Sequence, residues 1–365
     1  MPDMPQIVNM VLRLLVFMIP ALVLLAFILA NAIYLQYVER KLWAHMQGRL
    51  GPMRTGWHGL LQPIADAVKF LMKEDIIPAK ADKWVFSIAP LILLVMAFGS
   101  LVVIPFGPPT NFFGLLPKEV PLLVSNLNIG VLFILAFSSI GTYGVIMGGW
   151  ASNNKYSLMG GFRSAAQMIS YEVPMAFAVI TVVLMAGSLN LSDIVNAQAD
   201  RWFIIALPVG PVALFIYFVA GVAETNRVPF DMPEAESELV AGYCTEYSGI
   251  RFGMFFMAEY LNMLVVSFLA SIMFMGGWLP VQILPHTAFG QLGSITFLNR
   301  VFAALPPTLW LLAKLYFFFF VFTWLKGSLP RYRYDQLMNI CWKILLPLSL
   351  ATMLVAAGMK QMGWL

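Results

Sequence analysis

Charge is what this chain has least of. Only 11% of its 365 residues are Asp, Glu, Lys or Arg, and 60% are hydrophobic. A soluble domain carries about 25% charged residues, so an ordinary globular protein is excluded and a polytopic membrane protein is indicated. Cysteine and histidine are nearly missing too: Cys244 and Cys341, then His45, His58 and His286. There is no CxxC, and no apolar run holds two histidines. Thiolate-held clusters and bis-His haem therefore lack ligands, and no metal site is expected. Any redox centre would have to sit in a partner. Internal repeats and low-complexity segments are absent as well.

What is present is a series of apolar runs. A span needs about 20 such residues, and eight fit: 11–37, 84–105, 127–149, 162–186, 202–222, 250–277, 301–325 and 339–360. The expected fold is all-α, a single transmembrane domain over 1–365 with about eight helices. Its loops on one side cover about 38–83, 150–162, 223–249 and 326–338. Sixteen of the 22 basic residues fall on that side. Arg13, Lys118, Arg201, Arg300 and Lys360 fall on the other, and Lys314 lies within a span. Basic residues stay inside, so the charged loops are predicted cytoplasmic and both termini outside.

The first of these loops is broken by Gly48, Gly51, Pro52, Gly56 and Gly59. After them, Leu60, Ile64, Ala67, Val68 and Leu71 recur at helical spacing, with Asp66, Lys69 and Lys73 toward the other face. Pro63 sits where a first helical turn tolerates it. The pattern predicts a short amphipathic helix at the membrane surface, with simple anchoring as the bland role.

Seven of the 18 acidic residues crowd into Gly221–Tyr260: Glu224, Asp231, Glu234, Glu236, Glu238, Glu246 and Glu259. A charge at a span's centre costs about 2.5 kcal/mol or more. A solvated loop would account for Asp231 through Glu238, but not for Glu259, which lies among Met257, Ala258, Tyr260 and Leu261. Glu172 lies ten residues past Phe162, and Pro174 follows it. Glu224 closes the fifth span and Lys314 lies inside the seventh. The bland reading is an ion pair between helices; the sharper one is a proton path. Asp231, ahead of Pro233 and Glu234, is placed to cap a helix. Glu234 and Glu238 are expected on one face of it, with Glu236 on another.

The chain resembles the quinone-module membrane subunit of respiratory complex I, the bacterial NADH:quinone oxidoreductase. The matching motifs are VERK at 38–41, QGRLGPMRTG at 47–56, QPIADAVKFLMKED at 62–75 and AAQMISYEVP at 165–174. AETNRVPFDMPEAESELVAGY at 223–243, TEYSG at 245–249, AEY at 258–260 and PRYRYDQLMNICWK at 330–343 complete the set. The resemblance implies eight spans in the inner membrane and a cavity shared with soluble subunits. Those partners would hold NADH, FMN and the iron–sulfur clusters. It implies ubiquinone or menaquinone as substrate, reached from lipid between the first span, the amphipathic helix and the sixth span. Arg40 and Asp66 would stand at the quinone tunnel, with Arg227 and Asp231 around the cavity. Glu172, Glu224, Glu234, Glu236, Glu238, Glu246 and Glu259 would form an acidic path toward antiporter-like membrane subunits. Lys326 stands where this family usually has arginine, keeping the charge without the bidentate fork.

Two other classes would use similar residues. A transporter acting alone also wants mid-membrane carboxylates, but such sites usually lie between internal repeats. The related subunit of a membrane-bound hydrogenase need not bind quinone, and the first-loop motifs favour complex I over it.

Overall fold

The structure is a computed structural model that describes residues 4–109, 123–233, 236–280 and 305–363, with backbone only for 4–21 and 236–237. Among the described residues every regular element is helical. Helix α1 (Met4–Met46) leads into α2 (Gln62–Met72), α3 (Lys83–Val102), α4 (Gly130–Ala151) and α5 (Lys155–Ala186). Then come the short α6 (Leu191–Asn196), α7 (Val209–Glu224), the single turn α8 (Glu236–Leu239) and α9 (Gly249–Phe274). Helices α10 (Pro307–Ser328) and α11 (Tyr334–Gln361) close the chain, α11 widening to a π-helical turn over Ile340–Leu345. Seven of these are long and apolar enough to cross a membrane. The all-helical polytopic fold expected from the sequence is thus the fold observed.

The fifth expected span, 202–222, departs from expectation. The apolar run begins at Trp202, yet α7 starts only at Val209, after a 3-10 turn over Phe203–Ile205. Pro208 and Pro211 explain the delay, since proline is accommodated at a helix start but not in its interior. The 16-residue helix is about 24 Å long, short for a hydrocarbon core of about 30 Å. Buried Gln198 secures the chain ahead of it. Its carbonyl oxygen accepts from the Phe203 and Gly276 amides, and its amide nitrogen donates to Ile194 O and Ile272 O.

The loop expected over 150–162 is nearly all helix. Only Ser152–Asn154 separates α4 from α5, and the Asn154 side chain caps α5 by accepting from the Tyr156 amide at 3.0 Å. Gly160 looks like a breaker in the sequence but serves close approach. A Cβ there would come within 2.7 Å of Gly242 Cα. Small residues let membrane helices approach backbone to backbone.

Prolines inside α3 and α5 remove the amide that would bond four residues back. Pro90 thereby frees Phe86 O, which accepts from the Tyr247 hydroxyl at 3.2 Å. Pro174 frees Ser170 O, which accepts from the Cys341 thiol at 3.0 Å. Neither helix breaks, because a neighbouring element supplies the missing donor.

Helix α9 is the axis of the bundle: 78% of its apolar window is buried, against 22–56% for the other long spans. It packs on α1, α2, α3, α7 and α10. The charged loops gather at one end of the bundle, where the start of α9 lies.

Candidate functional site: a buried charge cluster and its neighbouring carboxylates

At the loop-bearing end, four elements meet in one charge cluster. Arg227 follows α7, and its side chain is 3% exposed. Its Nη1 donates to Glu39 Oε2 of α1 at 2.7 Å, and its Nε donates to Glu259 Oε1 of α9 at 2.5 Å. Lys326, at the end of α10, donates to the other Glu39 oxygen at 2.8 Å. The Arg227 guanidinium stacks over Tyr260 at 4.6 Å, and Lys326 over Trp43 at 4.5 Å. Burial pulls the Arg227 pKa down, but the Glu259 and Glu39 carboxylates outweigh it and raise the value well above the ordinary one. Two carboxylates thus face two cations. Buried charges are tolerated when paired and hydrogen-bonded in this way. The segment carrying Arg227 is fixed by buried Gln167, whose amide donates to Ala223 O and Phe230 O, both at 2.7 Å. Tyr332 ties the last loop to the same segment through Pro229 O at 3.1 Å.

A second acidic group lies deeper between α4, α5 and α7. Glu224 accepts from the Ser138 hydroxyl, and Glu172 accepts from the adjacent Ser139 hydroxyl. A cavity of about 20 Å³ lined by Glu224, Asn226, Tyr243, Asn262 and Glu259 separates this group from the Arg227 cluster. Such a volume holds about one water, and its walls offer several polar partners. Two hydroxyls, three carboxylates and one water-sized space thus lie near one another between the helices.

The remaining candidates lie outside this group, on α1, α2, α8 and the loops. Arg40 pairs with Asp66 at 2.5 Å, tying α1 to α2. Phe70 of α2 lies 5.8 Å from Phe252 of α9, so α1, α2 and α9 enclose one corner. Beside Arg40 is an open pocket of about 340 Å³, lined also by Trp43, Arg49, Gly51 and Pro52. Leu60, Ile64, Val68 and Leu71 are all exposed, which gives the predicted amphipathic helix an outward apolar stripe. Glu238 pairs with Arg163 at 2.6 Å and Glu246 accepts from Asn154 Nδ2 at 2.5 Å. Glu234 lies outside the described residues, and Glu236 is described in its backbone alone.

Two expectations need correction. Met232 and Pro233 are not helical, so Asp231 opens no helix there; it pairs with Arg331 at 3.0 Å. Among the described residues Lys314 pairs with no acid. Its ammonium donates to Met275 O, Gly277 O and Leu279 O at 2.6–2.7 Å and lies 4.3 Å over Trp202. It closes the far end of α9, where the helix dipole favours a cation. Sequence reasoning also missed three participants. Glu39 stood in VERK without a role, and Ser138 and Ser139 were an adjacent polar pair in an apolar span that could have been noticed.

Fold and site together define a multi-pass helical membrane protein that seals paired carboxylates, a guanidinium and an ammonium between its helices. A family model described as NADH dehydrogenase matches residues 19–357. The NADH-quinone oxidoreductase H subunit 2 of Rhizobium meliloti (strain 1021) is 49% identical over 332 residues, covering 91% of this chain and 93% of that protein. The NADH-quinone oxidoreductase H subunit of Magnetococcus marinus is 50% identical over 329 residues, covering 90% and 87%. The H subunit 2 of the Rhizobium etli enzyme is 47% identical over 351 residues, covering 96% of each. The chain belongs to the family of NADH-quinone oxidoreductase H subunits. Among the described residues no group of three or more His, Cys, Asp or Glu could hold a metal ion.

Proposed function

We propose that this chain forms much of the quinone chamber of a proton-translocating NADH:quinone oxidoreductase and carries an acidic path from that chamber into the membrane. One observation carries the reading. Glu172 and Glu224 share adjacent serines, and a single water-sized cavity divides Glu224 from the Arg227–Glu259 pair. Reduction of a quinone by two electrons consumes two protons and transiently places negative charge in the chamber. A carboxylate chain linked by hydroxyls and water can deliver protons or respond to that charge. NADH, FMN and the iron–sulfur clusters belong to soluble partners, and the path leads toward antiporter-like subunits. The charged loops face the cytoplasm of the inner membrane and both termini face outward. Ubiquinone or menaquinone passes between α1, α2 and α9, where Arg40 and Asp66 brace the opening and Asp231 and Arg331 stand at the loop face.

The chamber is tested at Arg40. Arg40→Ala releases Asp66 and loosens α2, so the apparent quinone KM rises by about tenfold, equivalent to about 1.4 kcal/mol. Electron transfer from NADH to a soluble artificial acceptor stays at the wild-type rate. Loss of that partial reaction too would make Arg40 an assembly residue and not part of the chamber.

A further inference from the structure

We infer that Lys326 is a positioning residue for the buried cluster: by neutralising Glu39 it leaves Arg227 available to hold Glu259 beside the Glu224 cavity. The inference rests on the proposed acidic path. Glu39 is 6% exposed and uses both oxygens, one on Arg227 and the other on Lys326. Glu259 is 24% exposed, is held among the described residues by Arg227 Nε alone, and lines the cavity shared with Glu224. The two acids therefore differ in kind. Glu39 is the fixed counter-ion, clamped from two sides. Glu259 is the singly held carboxylate, and the one ion pair it makes among the described residues depends on how Arg227 divides its donors. Removing the ammonium leaves two carboxylates, one buried and one half-buried, competing for one guanidinium, with one uncompensated negative charge. Breaking one side of a buried pair is costly, whereas removing both partners can be nearly neutral.

The experiment is a double-mutant cycle on NADH:quinone reductase activity in membranes, normalised to assembled complex. Lys326→Met and Glu39→Gln each leave the cluster one charge out of balance, so each lowers turnover by about tenfold, within the coupling expected for contacting charges. The double variant restores neutrality, and the glutamine amide introduced in α1 still offers Arg227 an accepting oxygen. Turnover therefore returns to within about threefold of wild type. Lys326→Arg keeps the charge over Trp43 and stays within about twofold. A lysine acting only as an interfacial anchor or as a cation on Trp43 would be rescued by arginine but not by Glu39→Gln. A double variant as defective as Lys326→Met overturns the inference, as does a fully active Lys326→Met. If Lys326→Met fails to assemble, recovery of assembled, active complex in the double variant reads the same coupling, and its absence refutes it. Glu259→Gln is the separate arm. Full activity there would remove Glu259 from the path while the Lys326–Glu39 coupling is still measured by its own cycle.

Discussion

Ionisable side chains buried in this bundle have two fates, and only their partners tell them apart. Lys314 and Glu259 look alike in the sequence, each a lone charge in a long apolar run. Lys314 ends on three backbone carbonyls, whereas Glu259 ends on Arg227 beside a cavity. Two exposed bases likewise end on backbone carbonyls: Lys360 donates to Leu184 O at 2.5 Å, at the end of α5. Arg201 donates to Ile205 O at 2.6 Å. These bases on the side with few charges close backbone ends, which reconciles them with the basic-residue asymmetry. The sequence shows that a charge is buried. It does not show whether a helix end or an acid will meet it, because that depends on residues more than 30 positions away. Lys314→Met strips one buried and two half-buried carbonyls of their donor, and a fully buried one costs about 1–3 kcal/mol when left unsatisfied. The assembled complex should therefore melt several degrees lower in a thermal unfolding scan, with turnover per assembled complex unchanged. Intact stability with lost turnover would return Lys314 to the proton path.

Among the elements, the long spans were legible because twenty apolar residues have few alternatives to crossing a membrane. The amphipathic helix was legible because its stripe and Pro63 both mark Gln62–Met72. The start of α7 and the α4–α5 junction were not. Prolines delay the first, and a glycine contact with the segment after α8 keeps the second helical; both depend on what lies across the interface. The same holds for the helix-internal prolines, whose freed carbonyls are satisfied from other elements. Tyr247 illustrates the consequence. It stacks on Phe86 with ring centroids 4.0 Å apart and donates to the carbonyl that Pro90 leaves free. Burial raises its pKa, so the phenol remains a donor throughout the working pH range. Tyr247→Phe keeps the stacking and orphans the carbonyl. It should lower stability by about 1–2 kcal/mol, read as a reduced thermal midpoint of the purified complex. An unchanged midpoint would mean that the carbonyl finds another donor.

In the whole molecule, α9 joins the charged loops to the bundle interior, because it packs against the first-loop helix at one end and carries Glu259 two turns further on. The family motifs made the loop-bearing end recognisable, but not which acids meet. Glu238 and Glu246 proved to be tied to Arg163 and Asn154 at the start of α5, while Glu172, Glu224 and Glu259 lie between helices. Orientation can be tested because Cys244 and Cys341 are buried. A cysteine replacing Met362, which is 69% exposed, should react with an impermeant reagent on intact cells, and one replacing Trp57, 80% exposed, only in inverted vesicles. The reverse pattern would turn the molecule over. The proposed acidic path is tested most directly at Glu172 and Glu224. Glu→Gln keeps shape and hydrogen bonding but removes the proton-binding site, and each tenfold loss of rate corresponds to about 1.4 kcal/mol of barrier. The measurement is NADH:quinone turnover together with proton translocation in membrane vesicles carrying Glu172→Gln or Glu224→Gln, normalised to assembled complex. A working path predicts normal assembly, loss of most of both activities, and substantial retention in the Glu→Asp variants. Full turnover and full proton translocation in both Gln variants would contradict it and leave the two carboxylates as structural partners of Ser138 and Ser139.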